Sequence, residues 1–344
     1  MRREPVRIGV AGLGAIGRVH AGNLAGRIPC ARLARVADTS EAALAAVCGL
    51  LEVPGSTEFD DLLEDPQLDA VLVATPPSTH AAMVERAAAA GKHVLCEKPL
   101  ALEVAAAENA VEAAERAGVL LQVGFHRRFD RDFAEARARI ARGELGEIRT
   151  FFGSMRDKEP PPLASPEQTL LHDAACHDLD AARWLIGEIE EIAVHGAALA
   201  SPALAAAGQV DHTVMVLRFE SGALGIVENS LASGYGFDCR CEITGSEATL
   251  RIDRPYVDEI ETLAAGRSAF RRTATFLDRF AGAYPSEVES FARAIRGEED
   301  VRVTGADGLA AVVLAAAAER SLELGAGVKV RSEPGRPPPD PPPG

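Results

Sequence analysis

The sequence predicts an α/β protein of two domains. The first is a parallel sheet covered by helices on both faces, and the second is an α/β domain with a large open, mainly antiparallel sheet. Short apolar runs alternate with helical segments up to Gly124, which is the pattern of βαβ units. Beyond that point strands follow one another across glycine turns, as in hairpins. The chain has 344 residues, more than one ordinary core holds, which favours two domains.

The first domain is predicted at residues 1–124. Its strands are expected at 6–11, 31–37, 69–74, 93–96 and 120–123, and its helices at 16–24, 79–90 and 103–117. Because these strands alternate with helices, they predict a parallel sheet covered on both faces.

The second domain is predicted at residues 125–332. Helices are expected at 131–142, 172–185 and 285–296, and strands at 148–155, 189–199, 213–219, 224–230, 239–244 and 249–252. A proline-rich loop begins at Pro160, and a proline-rich tail at 333–344 is predicted to be disordered. The helices at 172–185 and 285–296 are expected to cover one face of this sheet. The open face predicts a homo-oligomer.

A glycine-rich turn, GLGAIG at residues 12–17, joins the first strand to the first helix. Gly12 permits a tight turn, Gly14 lets the backbone approach a pyrophosphate, and Gly17 allows the helix to pack closely. The helix N-terminus then offers free N–H groups to phosphates. The turn therefore predicts a Rossmann dinucleotide-binding domain, with cofactor contacts at Gly12, Gly14, Ala15 and Ile16.

An acidic residue, Asp38, ends the second predicted strand and is followed by Thr39. A carboxylate at this place accepts hydrogen bonds from the adenosine ribose and repels a 2′-phosphate. Arg35 lies within the strand, and no arginine follows Asp38 directly. Asp38 and Thr39 are therefore predicted to bind NAD in preference to NADP. The alternative is that Asp38 only caps the next helix.

Charge and cysteine content narrow the range of partners. The net charge of −15 disfavours nucleic-acid backbones and anionic membranes, which attract basic surfaces. Six cysteines without a CxxC pair are expected to be reduced in a cytoplasmic protein, and no segment resembles a signal peptide or a membrane span. Cys239 and Cys241 share a strand face, but no further ligand lies near them in sequence, so no metal is expected.

Further polar residues lie where parallel strands end, which is where ligands of such sheets bind. Glu97-Lys98-Pro99 ends the fourth strand, and Thr75-Pro76-Pro77 ends the third, with His80 in the following helix. The predicted cofactor contacts at these strand ends are Thr75, Pro76, His80, Glu97, Lys98 and Gln122.

The motifs GLGAIG, ATPPSTH, CEKPL, QVGFHRRFD and HDAACHDLDAARWL occur in an order and spacing that resembles the glucose-fructose oxidoreductase/inositol dehydrogenase/rhizopine-catabolism (Gfo/Idh/MocA) family. The resemblance covers nearly the whole chain except the proline tail. Within the family, Arg156-Asp157 and the segment 235–238 look most like inositol 2-dehydrogenases. The resemblance implies NAD-dependent oxidation of a secondary hydroxyl of a cyclitol or sugar to a ketone. It also implies that the homo-oligomer is a tetramer, as in similar dehydrogenases.

The resemblance also implies roles for individual side chains. His177 is expected to take the hydroxyl proton as general base, Lys98 to stabilise charge on the reacting oxygen, and Asp173 to bind a hydroxyl and orient the other two. Asp173 and His177 are four residues apart and would share one helix face. The residues expected to line the polyol pocket are Arg128, Asp157 and Tyr235.

Several positions depart from the inositol dehydrogenase pattern. Residues 169–171 replace the usual glycines, Ala174 and Ala175 stand where a threonine is common, and Phe237 replaces a second tyrosine. The reaction type survives these changes, but myo-inositol is not fixed as the substrate. Another sugar dehydrogenase, a non-catalytic NAD(P)-binding sensor and NAD-assisted glycoside hydrolysis remain alternatives. An intact Lys98, Asp173 and His177 favours an enzyme, because a sensor needs no proton acceptor.

Overall fold

The computed structural model describes residues 4–159, 169–253 and 256–330. The predicted proline loop from Pro160 and the predicted tail at 333–344 lie outside the described residues. Within them, no helix has the length and the apolar character that crossing a membrane requires.

The N-terminal sheet is parallel and has six strands. They are β1 (Val6–Ala11), β2 (Ala31–Ala37), β3 (Gly55–Ser56), β4 (Ala70–Val73), β5 (His93–Cys96) and β6 (Leu121–Val123), in the spatial order β3-β2-β1-β4-β5-β6. The order reverses between β1 and β4, so a crevice opens at the carboxyl ends of these strands. The strands β1, β4, β5 and β6 are largely buried, and β4 is buried at all four residues, whereas β2 and β3 toward the edge of the sheet are only partly buried.

Five helices connect these strands: α1 (Ala15–Leu24), α2 (Glu41–Leu51), α3 (Asp60–Leu63), α4 (Pro77–Ala89) and α5 (Val104–Ala117). The helix α4 begins with Pro77 in its first turn, where a missing N–H is no loss. The helix α2 is capped by the Ser40 side chain, which accepts from the Ala43 N–H. Neither α2, α3 nor β3 was predicted from the sequence.

The second sheet has seven strands, which are β7 (Ile148–Arg156), β8 (Ile189–Ala197), β9 (His212–Phe219), β10 (Leu224–Ser230), β11 (Asp238–Gly245), β12 (Thr249–Asp253) and β15 (Val328–Lys329). Their order is β12-β11-β7-β10-β9-β8-β15, with β7 and β10 parallel and the other neighbours antiparallel. A separate hairpin, β13 (Tyr256–Ala264) and β14 (Arg267–Arg272), was not predicted. The predicted fold class, a Rossmann sheet followed by a mainly antiparallel sheet, is confirmed.

The remaining helices are α6 (Arg131–Ala141), α7 (Cys176–Ile186), α8 (Pro202–Ala206), α9 (Phe276–Arg279), α10 (Ala283–Ile295) and α11 (Gly305–Leu324). The expectation that α10 covers the second sheet is wrong. It packs on α1, β2 and β5, and its Val288 and Phe291 join the core of the N-terminal sheet. The helix α11, which was not predicted, covers the second sheet at β8, and α7 covers it at β7 and β10.

The other face of the second sheet is open in the single chain. Its apolar side chains remain between 38 and 49% exposed: Phe152, Val214, Val216, Leu224 and Ile226. Neighbouring residues of the same strands, such as Met215 and Val227, point the opposite way and are fully buried. We refer to this surface as the outer face.

Candidate active site

The glycine turn has the geometry that phosphate binding requires. Gly12 has φ +89°, and a Cβ there would lie 2.5 Å from the Ala74 carbonyl oxygen. A Cβ on Gly17 would lie 1.8 Å from the Gly12 carbonyl oxygen, so the helix could not approach. A Cβ on Gly14, in contrast, would have no other atom within 4 Å. Gly12 and Gly17 therefore pack tightly against the protein, whereas the space beside Gly14 is free for a ligand. The first N–H groups of α1 lie at this place.

Asp38 is fixed beside this turn at the end of β2. Its Oδ2 accepts the Leu13 N–H at 2.6 Å, and its Oδ1 accepts the Ser40 N–H at 2.8 Å. The carboxylate therefore does more than cap α2, because one oxygen also ties the second strand to the glycine turn. A negative charge held at this place suits the ribose of NAD and opposes a 2′-phosphate. The residues present thus fit a bound NAD, with Thr39 next to the carboxylate.

The other strand ends are tied together by buried polar side chains. Thr75 and Pro76 follow β4 at the crevice. The His80 ring lies between the Pro99 carbonyl, 2.7 Å from Nδ1, and the Thr75 carbonyl, 2.8 Å from Nε2. His80 therefore fixes the two loops that follow β4 and β5, and its nitrogens are not free for a ligand.

Glu97 and Gln122 face the interior between the N-terminal sheet and α10. Glu97 Oε1 lies 2.7 Å from His20 Nε2, and the Gln122 amide donates to the Glu287 carbonyl at 3.1 Å. The prediction that their side chains contact the cofactor is therefore corrected: burial against α1 and α10 takes both away from the crevice.

Lys98 and Asp173 form the centre of the site. Lys98 follows β5, and its Nζ donates to Asp173 Oδ1 at 2.8 Å and to the Asp173 carbonyl at 2.9 Å. Burial lowers the pKa of Lys98, but the Asp173 carboxylate and its hydrogen bond raise it more, so the net shift is upward. The ammonium is therefore charged at neutral pH.

Asp173 lies in a π-helical turn, Leu171–Ala175, directly before α7. Turns of this kind often occur at functional sites. The predicted continuous helix at 172–185 is thus interrupted, yet Asp173 and His177 both lie near Lys98.

His177 lies in the first turn of α7 and is 7% exposed. Its ring meets Phe125 edge-on with centroids 5.9 Å apart. Burial, and then the positive charge of Lys98, lower the pKa of His177 well below 6.5. A neutral imidazole beside a charged ammonium can accept a proton while the ammonium stabilises negative charge.

Asp157, which follows β7, lies within electrostatic reach of this group. Burial raises its pKa, and the negative charge of Asp173 contributes in the same direction. Its Oδ1 accepts the Lys158 N–H at 2.8 Å, which leaves its second oxygen for a ligand hydroxyl.

Two predicted pocket residues lie elsewhere, which corrects their assignment. Arg128 is buried, and its guanidinium forms ion pairs with Asp180 at 2.6 Å and Asp307 at 3.1 Å. It connects α7 to α11 through these two carboxylates.

Tyr235 is 42% exposed, and its hydroxyl contacts Arg156 at 3.1 Å and Asp238 at 3.0 Å. Successive residues of a strand point to opposite faces, and Arg156 shares the outer face with Phe152. Tyr235 therefore belongs to the edge of the outer face.

Two residues of the site were not singled out from the sequence. Arg127 is buried and donates to Asp178 Oδ1 at 2.5 Å, and its charge also lowers the pKa of His177. The His126 ring lies 4.8 Å from the His177 ring, centroid to centroid. The motif FHRRFD, which contains both, was the available signal.

Comparison with known proteins is consistent with this geometry. Residues 6–125 match the GFO_IDH_MocA family, described as an oxidoreductase family with an NAD-binding Rossmann fold, and residues 133–251 match a GFO/IDH/MocA C-terminal domain.

Three similar proteins bear names that refer to inositol. The chain is 38% identical to a myo-inositol 2-dehydrogenase of Thermotoga maritima, over 94% of this chain and 98% of that protein. It is 36% identical to a scyllo-inositol 2-dehydrogenase (NAD(+)) of Bacillus subtilis, over 94% and 96%. A solved structure of scyllo-inositol dehydrogenase from Lactobacillus casei with bound NAD(H) and scyllo-inositol is 29% identical, with a TM-score of 0.89 over 95% of this chain and 99% of that one.

Proposed function

We propose, from the premise that this chain belongs to the Gfo/Idh/MocA oxidoreductase family and uses NAD, that it oxidises a secondary hydroxyl of an inositol to the ketone. The observation that carries the proposal is the ion pair of Lys98 and Asp173 beside the neutral imidazole of His177. These groups come from the end of β5, from the π-helical turn and from α7, so the fold brings them together from distant parts of the chain.

Each group has a distinct part in the reaction. The oxidation removes a hydride from carbon and a proton from oxygen, and bound NAD supplies the hydride acceptor. His177 takes the hydroxyl proton, because it is neutral and buried beside Lys98. The Lys98 ammonium donates to the same oxygen and stabilises the charge that grows there. Asp173 holds that ammonium in place and keeps it charged, and Asp157 accepts a hydrogen bond from another hydroxyl.

The test is a panel of cyclitols and sugars, including myo-inositol, scyllo-inositol and aldoses, assayed by NADH absorbance. We expect one or more inositols to give the highest kcat/KM. The matched variant is His177→Ala, which should lower kcat by about 10²- to 10⁴-fold, the usual contribution of a positioned base. Its NAD affinity should match the wild type, since Gly14 and Asp38 lie on another part of the crevice. Tight NAD binding with no turnover of any polyol would instead indicate a sensor.

We also propose that the chain forms a homo-oligomer, most simply a tetramer, through the outer face. The support is the apolar group of Phe152, Val214, Val216, Leu224 and Ile226, each more than a third exposed on adjacent strands. A contiguous apolar surface of this kind on a single chain is typical of an interface. A cytoplasmic location is proposed in addition, because all six cysteines are free thiols.

A further inference from the structure

The general base of the proposed reaction has a second imidazole directly behind it. His126 lies in a short 3-10 turn, His126–Phe129, after β6, and its ring centroid is 4.8 Å from that of His177 with the ring planes at 65°. His126 is 5% exposed. Tyr284 of α10 stacks on His126 at 4.9 Å, and Phe280 meets it edge-on at 4.6 Å. Aromatic side chains therefore hold the His126 ring beside the His177 ring.

Each of the two rings has one buried nitrogen without a hydrogen bond. Among the described residues, His177 Nδ1 and His126 Nε2 have no hydrogen-bond partner, and neither atom is accessible to solvent. A buried polar atom left without a partner is costly, so native proteins pair such atoms. For His177 to accept a proton at Nε2, its neutral form must carry the hydrogen on Nδ1. That hydrogen then needs an acceptor, and the bare nitrogen of the adjacent ring is one.

We propose that His126 is a positioning residue for His177: its Nε2 accepts the Nδ1–H of His177 and so leaves His177 Nε2 bare toward the substrate. The inference rests on the proposed dehydrogenase function and assigns the tautomer of its base. A small rotation of the two neighbouring rings closes the hydrogen bond. In the reaction the substrate O–H bond breaks, its proton bonds to His177 Nε2, and the positive charge of the resulting imidazolium is shared with His126 through Nδ1–H.

The charged groups around the pair keep both rings neutral beforehand. Burial, followed by Lys98, lowers the pKa of His177, and a proton on His126 or the charge of Arg127 acts in the same direction. Burial, followed by Arg127, Lys98, His20 and Arg279, lowers the pKa of His126. These groups come from β5, the 3-10 turn, α1 and α9, and Tyr284 faces the pair from α10. A neutral His126 is the form that has a free nitrogen to accept a hydrogen bond.

The first test reads the tautomer directly and needs no substrate. Protein labelled with ¹⁵N in its eight histidines is measured by NMR at pH 8, with His126→Gln and His177→Ala variants for assignment. We expect His177 to carry its hydrogen on Nδ1 and His126 to have a bare Nε2. A hydrogen on His177 Nε2 would overturn the proposal. Because this result is independent of turnover, it stands even if no polyol is oxidised, which would refute only the proposed function.

The second test compares two substitutions at position 126 in the polyol assay. His126→Leu removes the acceptor and should lower kcat by about tenfold or more, while His126→Gln keeps an oxygen near the place of Nε2 and should stay within about threefold of wild type. Glu135, which is exposed on α6, provides the control: Glu135→Leu should change neither kcat nor the pH profile.

The pH profile of His126→Leu distinguishes the loss of a hydrogen-bond acceptor from a mere loosening of side-chain packing. An acceptor at Nδ1–H stabilises the imidazolium and raises the pKa of His177, so its loss should move the acid limb of kcat about 0.5–1 unit to lower pH. Looser packing would let water in and move that limb to higher pH instead. Equal kcat for His126→Leu and wild type, or a shift to higher pH, would refute the role of His126.

Discussion

The ion pair between Lys98 and Asp173 allows a sharp test of the electrostatics of the site. Asp173→Asn keeps an oxygen at the Oδ1 position but removes the negative charge 2.8 Å from Lys98 Nζ. Losing one partner of a fully buried pair costs about 3–5 kcal/mol. The Lys98 side chain is 17% exposed and that of Asp173 is 35% exposed, so solvent screens the pair. Because the asparagine oxygen also keeps the hydrogen bond, we expect a smaller loss of interaction free energy, about 1–2 kcal/mol. If this free energy is lost from the stabilisation of the transition state, kcat decreases about 5- to 30-fold.

The same substitution should change the pH dependence in a defined direction. In the wild type the charge of Asp173 outweighs burial and holds the pKa of Lys98 above its ordinary value, so Lys98 stays protonated at alkaline pH. In the D173N variant burial acts without that opposing charge and lowers the pKa. The protonated, active form is then lost as pH rises, and kcat should fall at alkaline pH where the wild type stays level.

The assay is kcat from pH 6 to 10 with the best polyol, together with NADH affinity from fluorescence. The control is Glu135→Gln, which removes one charge from an exposed ion pair with Arg142. Lys98→Met should lose more than D173N, about 10²- to 10³-fold in kcat, because the donor itself is gone. Wild-type kcat and a level alkaline limb in D173N would show that Asp173 does not maintain the charge of Lys98.

Three further predictions concern the cofactor, stability and assembly. Asp38→Ala should reduce the preference for NAD over NADP about tenfold in kcat/KM, and an unchanged ratio would remove Asp38 from cofactor selection. Burial, and then Glu97, raise the pKa of Glu287 well above 4.5, so its ionisation destabilises the fold as pH rises above the unfolded value. Thermal unfolding should therefore show E287Q gaining Tm over wild type between pH 5 and pH 8, and a constant difference would contradict this. Val216→Lys on the outer face should reduce the mass found by light scattering, whereas a monomeric wild type at micromolar concentration would contradict assembly through this face.

The order of strands and helices was largely predictable, because apolar residues recur in most segments with the spacing of a strand or a helix. The helix α11 was missed because apolar residues surround it on all sides, so it has no helical stripe. Its capping box at Thr304 and Asp307 was the local signal. The helix α10 was predicted, but an apolar stripe does not specify which sheet it covers. Only the contacts of Val288 and Phe291 with the N-terminal core decide this.

The site was predictable where a motif fixes a strand end or a helix turn, and less so elsewhere. Lys98, Asp173 and His177 were predicted as one group, and the structure places them close together. Arg128 and Arg127 are adjacent in sequence and identical in chemistry, so nothing local tells which one lies near His177. Tyr235 was misplaced because the faces of β7 and β11 depend on sheet register, which a motif does not contain.

Both domains are linked behind the site, which explains how side chains from distant segments keep their spacing. The helix α10 leaves the second domain to pack on α1 and β5, and it brings Tyr284 against His126. At the edge of the N-terminal sheet, the Val123 N–H donates to the Val303 carbonyl at 3.0 Å, and α11 then runs back to β8. Lys98 at the end of β5 and His177 at the start of α7 are therefore braced by α10, which packs on β5, and by α11, which packs on α7. A proton transfer over hydrogen-bond distances needs such fixed spacing, since an error of about 1 Å can cost 10²-fold in rate.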